Sequence, residues 1–290
     1  MKGCVSKCLE KKYIITADDY GMCSIVDKAI DDCISAGLVT STNVILNMED
    51  LKAAATLRER FPQISIGIHW NVTAGKPLLK RTEIPTLVAD DGHFHPFPVF
   101  IKLLHQNKIN KQELIFELTE QFNRFKDLCG QPDYWNTHQN SALDFQSFSI
   151  FNKLALKLGI NKTRSFRRVY IKEKGIQGFT KNITEALKKN VIDIWFGYII
   201  PCSGTKLPDG RMYYFVEKQN LDISNITDNV FFGKKQIVEI VIHPAVSGKH
   251  KSFGVLSDIR VDEYIMYSSQ RTKDILISKG FELVNFDSIK

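Results

Sequence analysis

Short β-branched runs alternate with helical patterns along almost the whole chain, and this alternation narrows the choice of fold more than any other property of the sequence. Strand-like runs fall at 13–17, 39–46, 64–68, 134–137, 165–171, 192–200, 237–242 and 281–286. Helical spacing of apolar residues fills 24–36, 51–61, 111–129, 148–158, 184–189 and 261–279. Ser24 and Asp27 predict a capping box for the first helix, and Gly37 predicts its left-handed stop. Strands separated by helices pair in parallel, with the helices outside the sheet. About seven or eight such units predict an α/β fold, a single-domain distorted (β/α) TIM-like barrel of parallel strands with outer helices. A doubly wound open sheet is the alternative.

No linker-like composition divides residues 1–290, so one domain is expected. Residues 1–12 read as a polar leader. Residues 74–110 and 201–233 read as loop excursions, the first with a small hairpin near Asp91-Gly92.

The net charge of +7 is spread along the chain without a dense basic block, which argues against nucleic acid as a partner. No apolar run approaches the ~20 residues needed to cross a bilayer, so no membrane span is expected. The first residues carry no apolar signal core, and a cytoplasmic location follows as the expectation. The six cysteines, at 4, 8, 23, 33, 129 and 202, form no C-x-x-C pair and match no zinc-finger spacing. Neither G-x-G-x-x-G nor G-x-S-x-G occurs, so a nucleotide cofactor and a serine nucleophile are not indicated.

Four strand-like runs end on side chains that bind metals or move protons. Asp18-Asp19 follows Ala17, His69 follows Ile68, His138 follows Thr137, and His243 follows Ile242. Parallel strands deliver their carboxyl ends to one face, where these groups can converge. Two imidazoles and a carboxylate suit Zn²⁺, and also Mn²⁺, Fe²⁺ or Co²⁺, with positions left for water and substrate. Taken alone, Asp18-Asp19 reads equally as a helix cap beside a solvated carboxylate, and His243-Pro244 as an ordinary loop. Trp70, Trp135 and Trp195 are core candidates, with Trp70 the one placed to stack on a sugar because it adjoins His69.

These segments resemble a known family. Thr16-Ala17-Asp18-Asp19-Tyr20-Gly21-Met22 is similar to the opening ADDFG motif of the YdjC-like carbohydrate deacetylases. Gly37-Leu38-Val39-Thr40-Ser41-Thr42 resembles the second-strand motif. The stretch from Gly67-Ile68-His69-Trp70-Asn71 to Lys76-Pro77-Leu78 resembles G-x-H-x-N-x-T-x-G-x-P-L. Asn136-Thr137-His138-Gln139, Glu239 with His243-Pro244, and Arg260 with Glu263 resemble later motifs. The likeness runs over roughly residues 13–286.

The resemblance implies a TIM-barrel-like fold and a metal-dependent hydrolase that removes the acetyl group from an N-acetylated amino sugar or oligosaccharide. It implies Asp19, His69 and His138 as metal ligands, Asp18 as the base that activates water, and His243 as the acid. The divalent ion expected is zinc or magnesium, with manganese, cobalt or iron as alternatives. Trp70, Asn71, Asn140 and Arg164 are candidates to bind substrate, and Arg164 or Arg167 to orient Asp18. The family usually carries a second histidine two residues after the metal-binding one, where this chain has Asn140. Asparagine cannot shuttle a proton. A non-catalytic sugar-binding relative is therefore one alternative; another metal-dependent sugar or phosphate enzyme on the same barrel is the second. Self-association as a homodimer stays open.

Overall fold

The computed structural model describes residues 11–49, 51–167, 169, 194–212, 223, 236–250, 253 and 257–290. Its centre is the strand β1 (Lys11–Tyr20), buried from Tyr13 onward. All its neighbours run parallel to it, as the alternation predicts. β2 (Ser41–Val44), β3 (Ser65–Trp70) and β4 (Trp135–Thr137) follow on one side; β6 (Ile237–Ile242) and then β5 (Gly210–Met212) follow on the other. β7 (Phe281–Leu283) pairs with the first three residues of β1.

The sheet curls, and residues 161–167 and 169 bridge its two edges. Trp135 N–H donates to Lys162 O on the β4 side; Arg211 N–H donates to Arg167 O and Val169 N–H to Arg211 O on the β5 side. Backbone hydrogen bonds therefore run around from β4 to β5, as in a distorted barrel. The predicted strand at 165–171 is realised only as this irregular bridge, and its residues 168, 170 and 171 lie outside the described set.

Helices pack outside: α1 (Ser24–Ser35), α2 (Leu57–Arg60) after a 3₁₀ turn at Ala53–Thr56, α3 (Phe97–His105), α4 (Lys111–Cys129), α5 (Phe145–Lys157), α6 (Ser257–Tyr267) and α7 (Gln270–Ser278). Asn110 and Asp144 cap α4 and α5 through their side chains. The capping box predicted for α1 does not form. Cys23 stands at the cap without a side-chain bond, and Asp27 Oδ1 instead accepts from Gly21 N–H at 2.6 Å.

Several elements differ from their prediction. Residues 194–202 are helical rather than a strand, with a π-helical turn at Trp195–Ile199. The apolar run there serves an aromatic cluster, Trp195 and Phe196 against Phe148, with ring centroids 5.1 Å away in each case. A continuous apolar run fits a buried helical turn as well as a strand. Inside the 74–110 excursion the expected hairpin is present as the Val88–Phe94 bridge, but α3 follows it. Pro98 lies in the first turn of that helix, where its missing N–H costs nothing. The 201–233 excursion contains β5. The predicted last helix is two, α6 and α7, broken at Ser268 and Ser269. Lys11 and Lys12, predicted in a leader, begin β1. The predicted helix at 184–189 lies outside the described residues.

Among the described residues two apolar clusters form the core. The larger lies between sheet and helices. The smaller, Ile14, Tyr134, Val284, Phe286 and Ile289, fills the interior where the strands begin. The Tyr134 and Phe286 rings stack at 3.8 Å and 4°. A Cβ on Gly67 would come within 2.5 Å of the Tyr134 ring, so β3 needs glycine there. Among the described residues no helix is long and apolar enough to cross a membrane.

Candidate active site at the strand ends

The site begins with an irregularity in β1. Its register with β2 shifts between Ala17 and Tyr20, and Asp19 takes a left-handed φ of 76°. Neighbours in a regular strand point to opposite faces. A bulge releases that alternation and re-aims the side chains. Asp18 and Asp19 thus both reach the same buried pocket, 2% and 1% exposed. Asn43 on β2 holds the bulge: its Nδ2 donates to Asp18 Oδ1 at 2.6 Å, and its Oδ1 accepts from Asp19 N–H.

The two carboxylates have different company. Asp19 Oδ1 lies 3.1 Å from His138 Nδ1 and 3.4 Å from His69 Nε2. These three ligand atoms all lie within 4.8 Å of one another. Asp19 Oδ2 accepts from Arg260 Nη2 at 2.6 Å. Asp18 is gripped by Arg164, whose two terminal nitrogens donate to its two oxygens at 2.7 and 2.8 Å. Arg164 also reaches the fully buried Glu239, at 3.0 to 3.2 Å. His243 Nε2 stands 3.8 Å from Asp18 Oδ2. His138 and His243, with side chains 13% and 22% exposed, are the open edge of the group.

Charge balance explains how buried acids stay ionised. Burial alone pushes the Asp18 carboxyl up, but Arg164, by charge and hydrogen bonds, with His69 and His243 reverses this and holds it far below the usual range. Burial acts the same way on Asp19, where Arg260, then His138 and His69, hold it well below. For His243 burial dominates and lowers the imidazole to about 4, against an upward pull from Asp18 and Asp19.

The triad fits a cation on its own chemistry. Asn136 Nδ2 faces Asp18 Oδ1 at 3.4 Å, which turns Asn136 Oδ1 toward His69 Nδ1, 2.6 Å away. In the neutral imidazole this places the hydrogen on Nδ1 and turns the Nε2 lone pair toward the Asp19 carboxylate. Two acceptors so placed repel unless a positive charge sits between them. Fixing the far nitrogen of an imidazole in this way is the usual support of a metal-ligating histidine.

With this arrangement established, likeness to known proteins becomes informative. Residues 12–280 match the family described as YdjC-like protein. The chain belongs to the YdjC-like family. It is 26% identical over 288 residues to a carbohydrate deacetylase of Enterococcus faecalis, covering 96% of this chain and 98% of that one. A carbohydrate deacetylase of Danio rerio is 32% identical, but the match spans 53% of this chain and 49% of the relative. A chitooligosaccharide deacetylase of Proteus mirabilis is 31% identical, across 49% of this chain and 54% of its own length. The chain thus spans about half the length of these last two. A solved protein of Enterococcus faecalis V583, named for a suggested role in cellobiose-phosphate cleavage, is 25% identical with a TM-score of 0.70, covering 96% of this chain and 98% of that one.

In this YdjC-like chain the five residues predicted for chemistry, Asp18, Asp19, His69, His138 and His243, are gathered at one end of the sheet. The residues predicted to bind substrate fare differently. Trp70 is completely buried against Trp135 and Phe151, with its Nε1–H donated to Leu118 O, so it offers no face to a sugar. Asn71 is equally buried. Its amide donates to Asn47 and Ala74 and accepts from the N–H groups of Thr73 and Ala74, an arrangement that shapes the turn. Arg164 is 2% exposed and committed to Asp18 and Glu239, so it positions a carboxylate rather than gripping substrate. Asn140 is half-buried, and its Oδ1 accepts from Arg211 at 2.9 Å.

Sequence reasoning assigned no role to Asn43, Asn136, Glu239, Arg260 or Glu263, all buried in this network. The signals available were membership of the family-like motifs, for Asn136, Glu239, Arg260 and Glu263, and position: Asn136 and Glu239 lie two and four residues before predicted site histidines, on strands.

Proposed function

We propose that this chain hydrolyses the N-acetyl amide of an amino sugar, free or within an oligosaccharide, and releases acetate. The observation that carries this reading is the Asp19, His69 and His138 cluster, with Asp18 and His243 beside it. Asp19, His69 and His138 would hold one divalent ion. Two imidazoles among three donors favour zinc over magnesium, which prefers oxygen ligands. When bound, such an ion supplies a water of lowered pKa and polarises the acetyl carbonyl.

The remaining chemistry belongs to the chain's own side chains. Asp18 accepts a proton from the attacking water. Because Arg164 makes it a weak base, it does not retain that proton. His243 Nε2, 3.8 Å from Asp18 Oδ2, is neutral at pH 7 and can receive it. His243 then delivers the proton to the amine nitrogen as the C–N bond breaks. The products are acetate and the free amino sugar. This reading starts His243 as a neutral carrier, in place of the imidazolium implied by a simple acid. Asn140 lies outside this proton route, so its replacement of histidine is compatible with turnover. We read residues 1–290 as one catalytic domain.

The test is acetate release from a panel of N-acetylated mono- and oligosaccharides, with chelated and metal-restored protein, and with phosphate release followed on phosphorylated sugars in parallel. Acetate that appears only with metal is the expected result. Phosphate without acetate, or sugar binding without either product, would overturn the assignment.

A further inference from the structure

Among the buried ionisable side chains that this chemistry does not use, two stand against the site from one helix. Arg260 and Glu263, 2% and 3% exposed, lie one turn apart on α6. The β1–β6 ladder ends at the Ala17–Ile242 pair. Asp19 and His243 stand beyond it, where no rung of the ladder fixes one strand end against the other. The α6 side chains make that tie. Arg260 Nη2 donates to Asp19 Oδ2 at 2.6 Å, and Nη1 donates to the backbone carbonyl of His243 at 3.4 Å. Glu263 Oε2 accepts the backbone N–H of the same histidine. The Arg260 backbone carbonyl accepts from Ala245 N–H, and its guanidinium lies 4.6 Å above the Phe253 ring.

We propose that Arg260 and Glu263 are positioning residues that clamp His243 against Asp19. Arg260 turns one oxygen of the metal-binding carboxylate away and leaves the other for the ion. Glu263 fixes the backbone from which the proton-carrying imidazole hangs. The residue types fit these tasks. A guanidinium presents donors in a rigid fork that spans two acceptors, which a lysine ammonium does not reproduce. A buried peptide N–H needs an acceptor, which either a carboxyl or a primary amide provides. The proposal rests on the metal and proton-transfer roles given above.

The two arms of the clamp predict different losses. Zn²⁺ affinity is measured by competition with a chromophoric chelator, alongside kcat and KM for acetate release. Arg260→Met should weaken metal binding about 10–100-fold, the usual cost of losing a group that orients a ligand. Arg260→Lys, which keeps the charge and should fold, should lie between it and wild type. Glu263→Ala should bind Zn²⁺ within about twofold of wild type, while kcat falls about 10²-fold at unchanged KM, as expected for a misplaced reacting group. Glu263→Gln, which keeps an acceptor for the His243 N–H, should restore most of that kcat. Wild-type affinity in both Arg260 variants would overturn the clamp, and so would equal losses in the two Glu263 variants. The metal measurement is independent of turnover. Wild-type protein that binds Zn²⁺ without releasing acetate would sink deacetylation, and the Arg260 affinities would still decide the clamp.

Discussion

The interior of the curled sheet is built differently at its two ends. Where the strands begin, it is filled by rings and aliphatic groups: Tyr134 stacked on Phe286, with Ile14, Val284 and Ile289. Where they finish, it is filled by charge: Asp18, Asp19, Glu239, Arg164 and Arg260, all nearly inaccessible. An unpaired buried charge is strongly destabilising, so each carboxylate of the Asp18-Asp19 pair has its own arginine. Apolar packing at one end supports a platform on which the other can hold compensated charge. Chemistry and stability are thus separable along the strand axis, and substitutions at the two ends should fail in different ways.

The largest contrast concerns turnover. Asp18→Asn keeps shape and hydrogen-bonding capacity but removes the proton acceptor. It should lower kcat about 10²–10⁴-fold, the usual worth of a general base, with one metal ion still bound per chain. Metal analysis and acetate release on the same sample check both halves. Phe286→Ala at the opposite end should destabilise the fold by about 3–5 kcal/mol, as buried aromatic truncations do. Folded Phe286→Ala protein should keep wild-type kcat. Loss of kcat without loss of stability would dissolve the distinction between the ends.

This division explains what was legible in advance. Side chains that follow apolar strands announce themselves, which is why Asp18, Asp19, His69, His138 and His243 stood out. Arg164 was named to orient Asp18 only as one of two arginines, and Glu239, Arg260 and Glu263 only as parts of motifs, because hydrogen-bond partners so distant in the chain become neighbours only in the fold. Arg164 is 146 residues from Asp18, and Arg260 is 241 residues from Asp19. Trp70 misled for a related reason. Adjacency to His69 suggested the site, but strand alternation turns successive side chains to opposite faces, and Trp70 goes to the core. The run predicted at 192–200 could not be resolved by its apolar character, since the aromatic cluster around Phe148 takes its described part, 194–200, as a helical turn.

The two ends should also differ in their response to pH. In metal-free protein, burial raises Glu263 from 4.5 to about 8, against a downward pull from the His243 N–H and Arg260. The folded chain keeps a proton that the unfolded chain loses, so Glu263 makes stability fall as pH rises between about 4.5 and 8. His243 acts from the other side. Its imidazole, lowered from 6.5 to about 4, makes stability fall as pH drops through that window. Denaturant titrations under chelation should therefore place maximum stability at mildly acidic pH. Glu263→Gln should shift that maximum toward neutral and add up to a few kcal/mol at pH 8. At the apolar end Tyr134 has its hydroxyl pushed above the range where it would ionise, so Phe286→Ala should displace the profile without changing its shape.

The smallest effect is expected at the surface. His105 Nε2 meets Asp144 Oδ2 at 2.8 Å, with the histidine side chain 52% exposed. Exposed pairs of this kind contribute about 0.2–1 kcal/mol and weaken with salt. His105→Ala should cost no more than that, with kcat unchanged, in thermal denaturation at low and high ionic strength.

Titration of metal-free protein with Co²⁺, followed by its visible absorption, addresses the central claim directly. Wild-type protein should take up one ion per chain and develop the bands of a site with mixed imidazole and carboxylate donors. His69→Ala combined with His138→Ala should develop none. The same bands at the same stoichiometry in the doubly substituted protein would place the ion elsewhere and contradict the account.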